Sequence, residues 1–142
     1  MRGHVRPLAT GLVMGALALG GLSLALAQVR ADPQAACLAN LKTLSTALLQ
    51  YAQDYDDTLP PMKNSVQLQR SLSRRVKVRA TFSCPVTKLP YQPNVALNCK
   101  PLAKVKKPAT VEAIWDAKPH PGGVRNAVFA DGHVGKSTKL LK

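Results

Sequence analysis

Two histidines stand in the C-terminal quarter of the chain, each with a carboxylate close by. Asp116 precedes His120 by four residues, and Asp131 precedes His133 by two. Imidazole and carboxylate are both zinc ligands, so Asp116, His120, Asp131 and His133 form a candidate metal set. The same residues have a structural reading, which is preferred. Asp131-Gly132 separates Asn126-Ala127-Val128-Phe129-Ala130 from His133-Val134-Gly135-Lys136. Asp-Gly between two such runs predicts a tight hairpin turn with positive φ at both central residues. His133 then only pairs across the hairpin. No metal or cofactor is expected.

The three cysteines, Cys37, Cys84 and Cys99, allow at most one internal disulfide, and 37–84, 37–99 and 84–99 are the choices. Cys37 falls on an apolar stripe and reads as buried. Cys84 and Cys99 flank a proline-rich loop with little hydrophobic content, which favours a Cys84–Cys99 bridge. Closing that loop stabilises by roughly 3 kcal/mol in the chain-entropy model. The alternative is three reduced cysteines packed as small hydrophobes. Paired CxxC, GxSxG, HExxH and a phosphate loop are all absent, and Glu112 is the single glutamate. The expectation is therefore a non-enzymatic protein. A thiol enzyme built on Cys37, or a small metal-binding hydrolase built on the histidines, is the remaining catalytic option.

Charge is unevenly placed. The 142 residues carry 20 Lys+Arg against 7 Asp+Glu, a net charge of +13. Thr58–Thr110 holds eleven of the cations and no acid. Within it, Arg70, Arg74, Arg75, Lys77 and Arg79, with Lys100, Lys104, Lys106 and Lys107, are candidates for contacts to DNA, acidic polysaccharide or an anionic membrane surface. Such binding is salt-dependent and blind to sequence. Only six aromatic residues are present, too few for a specialised single-strand binder.

The elements that must position these groups follow from pattern. Arg2 and Arg6 precede an uncharged run, Leu8 to Ala27, ending in Ala25-Leu26-Ala27. A basic start, an apolar centre and a small-x-small ending describe a secretory signal over residues 1–27. The rival is a retained anchor, since twenty helical residues reach roughly 30 Å. Residues 28–142 then form one globular domain. Asp32 can cap a helix, with Pro33 at its first position. Cys37, Leu41, Leu44, Leu48, Tyr51 and Tyr55 recur at steps of four and three, one helical stripe. Leu59-Pro60-Pro61 ends it. Asp54, Asp56 and Asp57 lie at this exit; they lack the glycine and distant glutamate of an EF-hand and read as a solvated helix end. Ser65–Leu72 is a short helix candidate. Val76, Val78, Ala80 and Phe82 alternate with polar residues and predict a strand whose apolar face enters the core. Val111–Trp115 is a further strand candidate.

Three segments in this order carry a resemblance. They are Cys37-Leu38-Ala39-Asn40-Leu41-Lys42 with Tyr51-Ala52-Gln53-Asp54-Tyr55-Asp56 and Leu59-Pro60-Pro61; Phe82-Ser83-Cys84-Pro85 with Tyr91 and Asn94; and Pro108 through Trp115-Asp116, His120 and Phe129-Ala130-Asp131-Gly132-His133-Val134. The set resembles the bacterial prepilin-type family named for a His, nine residues, then Asp-Gly. The family motif falls on His120, Asp131, Gly132 and His133. Two departures stand out: ten residues, not nine, separate His120 from Asp131, and no acid precedes Asp32. The second removes the match to the N-terminus of an assembling pilin.

The resemblance implies an α+β fold similar to type II secretion pseudopilins, a long N-terminal amphipathic helix on a small antiparallel sheet. The expected function is a structural or interaction component of a secretion, pilus-related or envelope assembly. Its expected location is exported, secreted or periplasmic, or membrane-anchored if residues 8–27 are kept. A basic polyanion-binding module is the alternative.

Overall fold

A computed structural model describes residues 32–137. The apolar segment Leu8–Ala27, with the export signal or anchor read from it, lies outside the described residues. Among those described, no helix is long and apolar enough to cross a membrane.

The first element, α1, is Pro33–Asp54. Asp32 caps it: its Oδ1 accepts a hydrogen bond from the Gln34 N–H at 2.9 Å, and Pro33 at the first position has no N–H to leave unsatisfied. Cys37, Leu41, Leu44, Ala47, Leu48 and Ala52 are buried along it. Each fully buried leucine stabilises the fold by about 2 kcal/mol relative to exposure. The helix ends at Tyr55, and Asp56 and Asp57 turn the chain away with φ of 50° and 52°. A short helix, α2 (Ser65–Leu72), follows, capped by Asn64, whose side chain accepts from the Gln67 N–H.

Four strands form one antiparallel sheet in sequence order: β1 (Gln92–Pro93), β2 (Glu112–Trp115), β3 (Asn126–Phe129) and β4 (Val134–Lys136). The protein is thus α+β, with α1 packed on the sheet, chiefly against β3. The core lies between them and includes Leu41, Leu44, Leu48, Tyr91, Ile114 and Val128. A bulge in β2 shifts register between Glu112 and Ile114. Asn94 seals it, its side chain donating to the Glu112 carbonyl and its backbone N–H to that of Ala113, each at 2.8 Å.

Two sequence expectations are corrected. The alternating segment Val76–Phe82 is not a strand. Arg79–Phe82 forms a 3-10 turn, and Val78 is 63% exposed while Val76 and Phe82 are buried. The alternation therefore reflects two buried ends. This segment packs against α1 and finds no strand partner, so nothing selects an extended backbone. The hairpin between β3 and β4 exists, but its turn is longer than two residues. The Phe129 N–H donates to the His133 carbonyl and the Gly132 N–H to that of Phe129, closing a three-residue loop, Ala130-Asp131-Gly132. Only Gly132 has positive φ, +93°, as in three-residue loops with a left-handed last residue.

That turn rests on α1. Ser45 Oγ donates to the Gly132 carbonyl, and a Cβ added at Gly132 would press on the Leu49 side chain. Gly132→Ala is expected to destabilise the protein by more than about 1 kcal/mol, through backbone strain and displacement of Leu49. Urea denaturation checks this; a midpoint equal to that of the unchanged protein contradicts it.

Candidate functional site

The buried chemistry of the molecule gathers where three segments meet. Cys37 comes from the first turns of α1. Cys84 comes from a loop closed by the Cys84 N–H to Leu89 carbonyl bond and the Tyr91 N–H to Phe82 carbonyl bond. Asp116 and His120 come from the connection between β2 and β3. Asp116 leaves β2 with its N–H bonded to the Asn126 carbonyl, while its Oδ2 accepts from the Asn126 N–H at 2.8 Å. Arg125 Nε, itself buried, donates to the Asp116 carbonyl at 3.1 Å. His120 opens a tight turn in which its N–H donates to the Val124 carbonyl and its carbonyl accepts from Gly123. Gly122 and Gly123 supply the positive φ values, 91° and 77°, that bring the chain back into β3.

Cys37 and Cys84 pair as a disulfide, with Cα atoms 5.4 Å apart and 47 residues of separation. His120 Nε2 lies 3.2 Å from Cys84 Sγ and 3.2 Å from Asp116 Oδ2. All four groups are buried: Cys37 and Asp116 are 0% exposed, Cys84 1% and His120 3%. Tyr91 covers the group from the other side, its hydroxyl donating to the Cys37 carbonyl at 3.3 Å. Burial first, then the Asp116 charge, pushes the Tyr91 phenol well above its ordinary pKa, against the opposing hydrogen bond from Asn40, so it remains a neutral donor.

The expected Cys84–Cys99 bridge is therefore corrected. Cys99 is exposed, with left-handed φ of 51°, and its sulfur is a free thiol. Proximity along the chain misled here. The apolar stripe of α1 turns Cys37 inward at the height where the Cys84 loop crosses it, so burial brings the two sulfurs together.

The candidate metal set divides. Asp116 and His120 enter the core beside the sulfurs, whereas Asp131 and His133 stay on the hairpin turn, at the opposite end of β3 from His120. There His133 Nδ1 lies 2.6 Å from Asp131 Oδ1, and its ring stacks on Phe129 with centroids 4.1 Å apart. Partial burial raises the Asp131 carboxyl, but hydrogen bonds from the His133 backbone and ring and the charge of that ring outweigh it, holding the pKa below its ordinary value. His120, on one side, and Asp131, Gly132 and His133, on the other, thus mark two separate places. Among the described residues, the one group of three or more metal-capable side chains is Cys37, Cys84, Asp116 and His120. Sequence reading missed the union because its members come from three separate segments and follow no ligand spacing.

Arg70 and Arg79 line a shallow pocket of about 280 Å³ with Gln69 and Ser73. Arg74, Lys77, Lys104, Lys106 and Lys107 are exposed, and Lys100 is half-buried. Arg75 is committed to the fold: it pairs with Asp54 and lies over the Tyr51 ring, 5.1 Å from its centroid. Asp54 is thereby engaged at the helix exit, while Asp56 and Asp57 remain exposed.

No family model, curated protein or solved structure matches the chain. Digestion of the oxidised protein without reductant is expected to yield a peptide pair joining Cys37 to Cys84, with Cys99 alkylated. Recovery of a Cys84–Cys99 pair contradicts the assignment. Reduction is expected to cost about 4 kcal/mol of stability for a loop of this length.

Proposed function

We propose that the chain is a non-enzymatic, pseudopilin-like interaction component of a secretion, pilus-related or envelope assembly, working outside the cytoplasm. The observation that carries this reading is the buried Cys37–Cys84 disulfide, which ties the helix to the loop that precedes the sheet. Disulfides of this kind persist in oxidising compartments and are rare in the cytosol. The uncharged run Leu8 to Ala27, read as an export signal or anchor, agrees with that compartment.

Limited access supports the non-enzymatic part of the reading. A catalytic group must touch its substrate, and the Asp116–His120 pair is buried: Asp116 is 0% exposed and His120 3%. Asp131 and His133 are accessible, and they pair with each other at the tip of a turn. The helix-on-sheet architecture agrees with the pseudopilin resemblance of the sequence segments, and leaves the outer faces of α1 and α2 to partners.

Trapping thiols in intact cells with a mass-tagged maleimide, followed by fractionation and intact mass, tests the reading. The expected result is an extracytoplasmic protein carrying one tag, on Cys99, that cross-links into a discrete larger envelope complex. A cytosolic monomer carrying three tags contradicts it.

A further inference from the structure

A disulfide alone does not explain what surrounds it. A sulfur–sulfur bond is apolar and asks for no ionisable neighbours. Yet an imidazole and a carboxylate are driven into the core against it, at a desolvation cost. Their polar atoms are only partly satisfied: Asp116 Oδ1 and His120 Nδ1 are buried without a hydrogen-bond partner. Native cores pair nearly all such atoms, and an ion beside the sulfurs would engage the Asp116 carboxylate, though not His120 Nδ1.

We propose that, when its cysteines are thiols, the chain binds one Zn2+ through Cys37 Sγ, Cys84 Sγ, His120 Nε2 and a carboxylate oxygen of Asp116. The four ligand atoms already lie within 4.8 Å of one another. In a tetrahedral site with bonds of about 2.0–2.3 Å, they stand roughly 3.3–3.8 Å apart. The contacts of His120 Nε2 to sulfur and to carboxylate, both 3.2 Å, are close to that spacing. Without the sulfur–sulfur bond, small side-chain rotations separate the two thiolates around the ion.

The charges also fit. Two thiolates and one carboxylate against a dication leave a net charge of −1, with the buried Arg125 guanidinium bonded to the Asp116 backbone beside it. Binding releases the two thiol protons, so it strengthens as pH rises. Of the four ligands, Cys84 lines a pocket of about 420 Å³, together with Asn40 and Lys88. Four protein ligands leave no open position for water, so the ion is structural and not hydrolytic. Metal and disulfide use the same sulfurs and are alternative occupants. The reduced form is the one a newly made chain has before it meets an oxidising compartment. This inference stands apart from the proposed envelope role, which rests on the oxidised form.

The test uses the full chain with Cys99→Ser, which removes the competing exposed thiol. The protein is reduced with a phosphine under nitrogen and titrated with Co2+ alone, then with Zn2+ alone. The expected result is one equivalent of Co2+, with a thiolate-to-metal charge-transfer band and tetrahedral d–d bands, displaced by one equivalent of Zn2+. If the reduced apo chain is loosened, circular dichroism is expected to show the metal restoring helix. Zinc X-ray absorption is expected to give two sulfur and two nitrogen or oxygen ligands. Asp116→Asn is expected to weaken binding by more than the roughly 100-fold typical of changes outside the ligand set. Absence of a charge-transfer band at one equivalent overturns the proposal, whether or not the reduced chain is folded. So does a zinc shell with fewer than two sulfurs, or unchanged affinity in Asp116→Asn.

Discussion

One constraint ties three distant segments of this fold together: the sulfurs of Cys37 and Cys84 and the Asp116–His120 pair occupy one buried volume. The helix, the Cys-Pro loop and the β2–β3 connection have few other polar ties to each other. Each contributes a group that is costly to bury alone. Brought together, the sulfurs bond, the imidazole meets a carboxylate, and Asp116 in turn holds the start of β3 through the Asn126 N–H. Removing any one member leaves the others buried without their partner, a larger cost than the interaction's own net worth.

The remaining structure supports that volume from two sides. Tyr91, nearly fully buried, closes it with a hydrogen bond to the Cys37 carbonyl. At the far end of β3, the β3–β4 turn rests on Ser45 and Leu49 of α1. The helix is thus held at two heights, by covalent chemistry near its start and by a glycine turn near its middle. Its last residues are held differently again, with Arg75 against Asp54 and the stacked Tyr51 and Tyr55 rings. Much of the positive charge stays outside this framework, on exposed side chains.

What the sequence shows clearly is local. Asp32 and Pro33 mark a helix start by capping chemistry, Ser65–Leu72 matches its helix, and Asp131-Gly132 marks a hairpin, because these signals act over a few residues. The Val76–Phe82 alternation misleads because period two records burial as well as strand geometry, and a strand needs a partner that this segment lacks. The cysteine pairing is harder still. Three pairings are open, and spacing along the chain favours the wrong one. The answer depends on which face of α1 meets which loop, a property of the whole packing. Asp116 and His120 were visible as residues capable of chemistry. Their neighbours were not, since the sulfurs arrive from 79 residues upstream in one case and 32 in the other.

The central claim is that one buried cluster couples three distant segments. Hydrogen exchange of oxidised Asp116→Asn, compared peptide by peptide with the unchanged protein, tests it most directly. The predicted result is faster exchange in three places together: the first turns of α1 around Cys37, the 82–91 loop, and the 116–126 connection. Faster exchange confined to 116–126, with the helix and the cysteine loop unchanged, would contradict it.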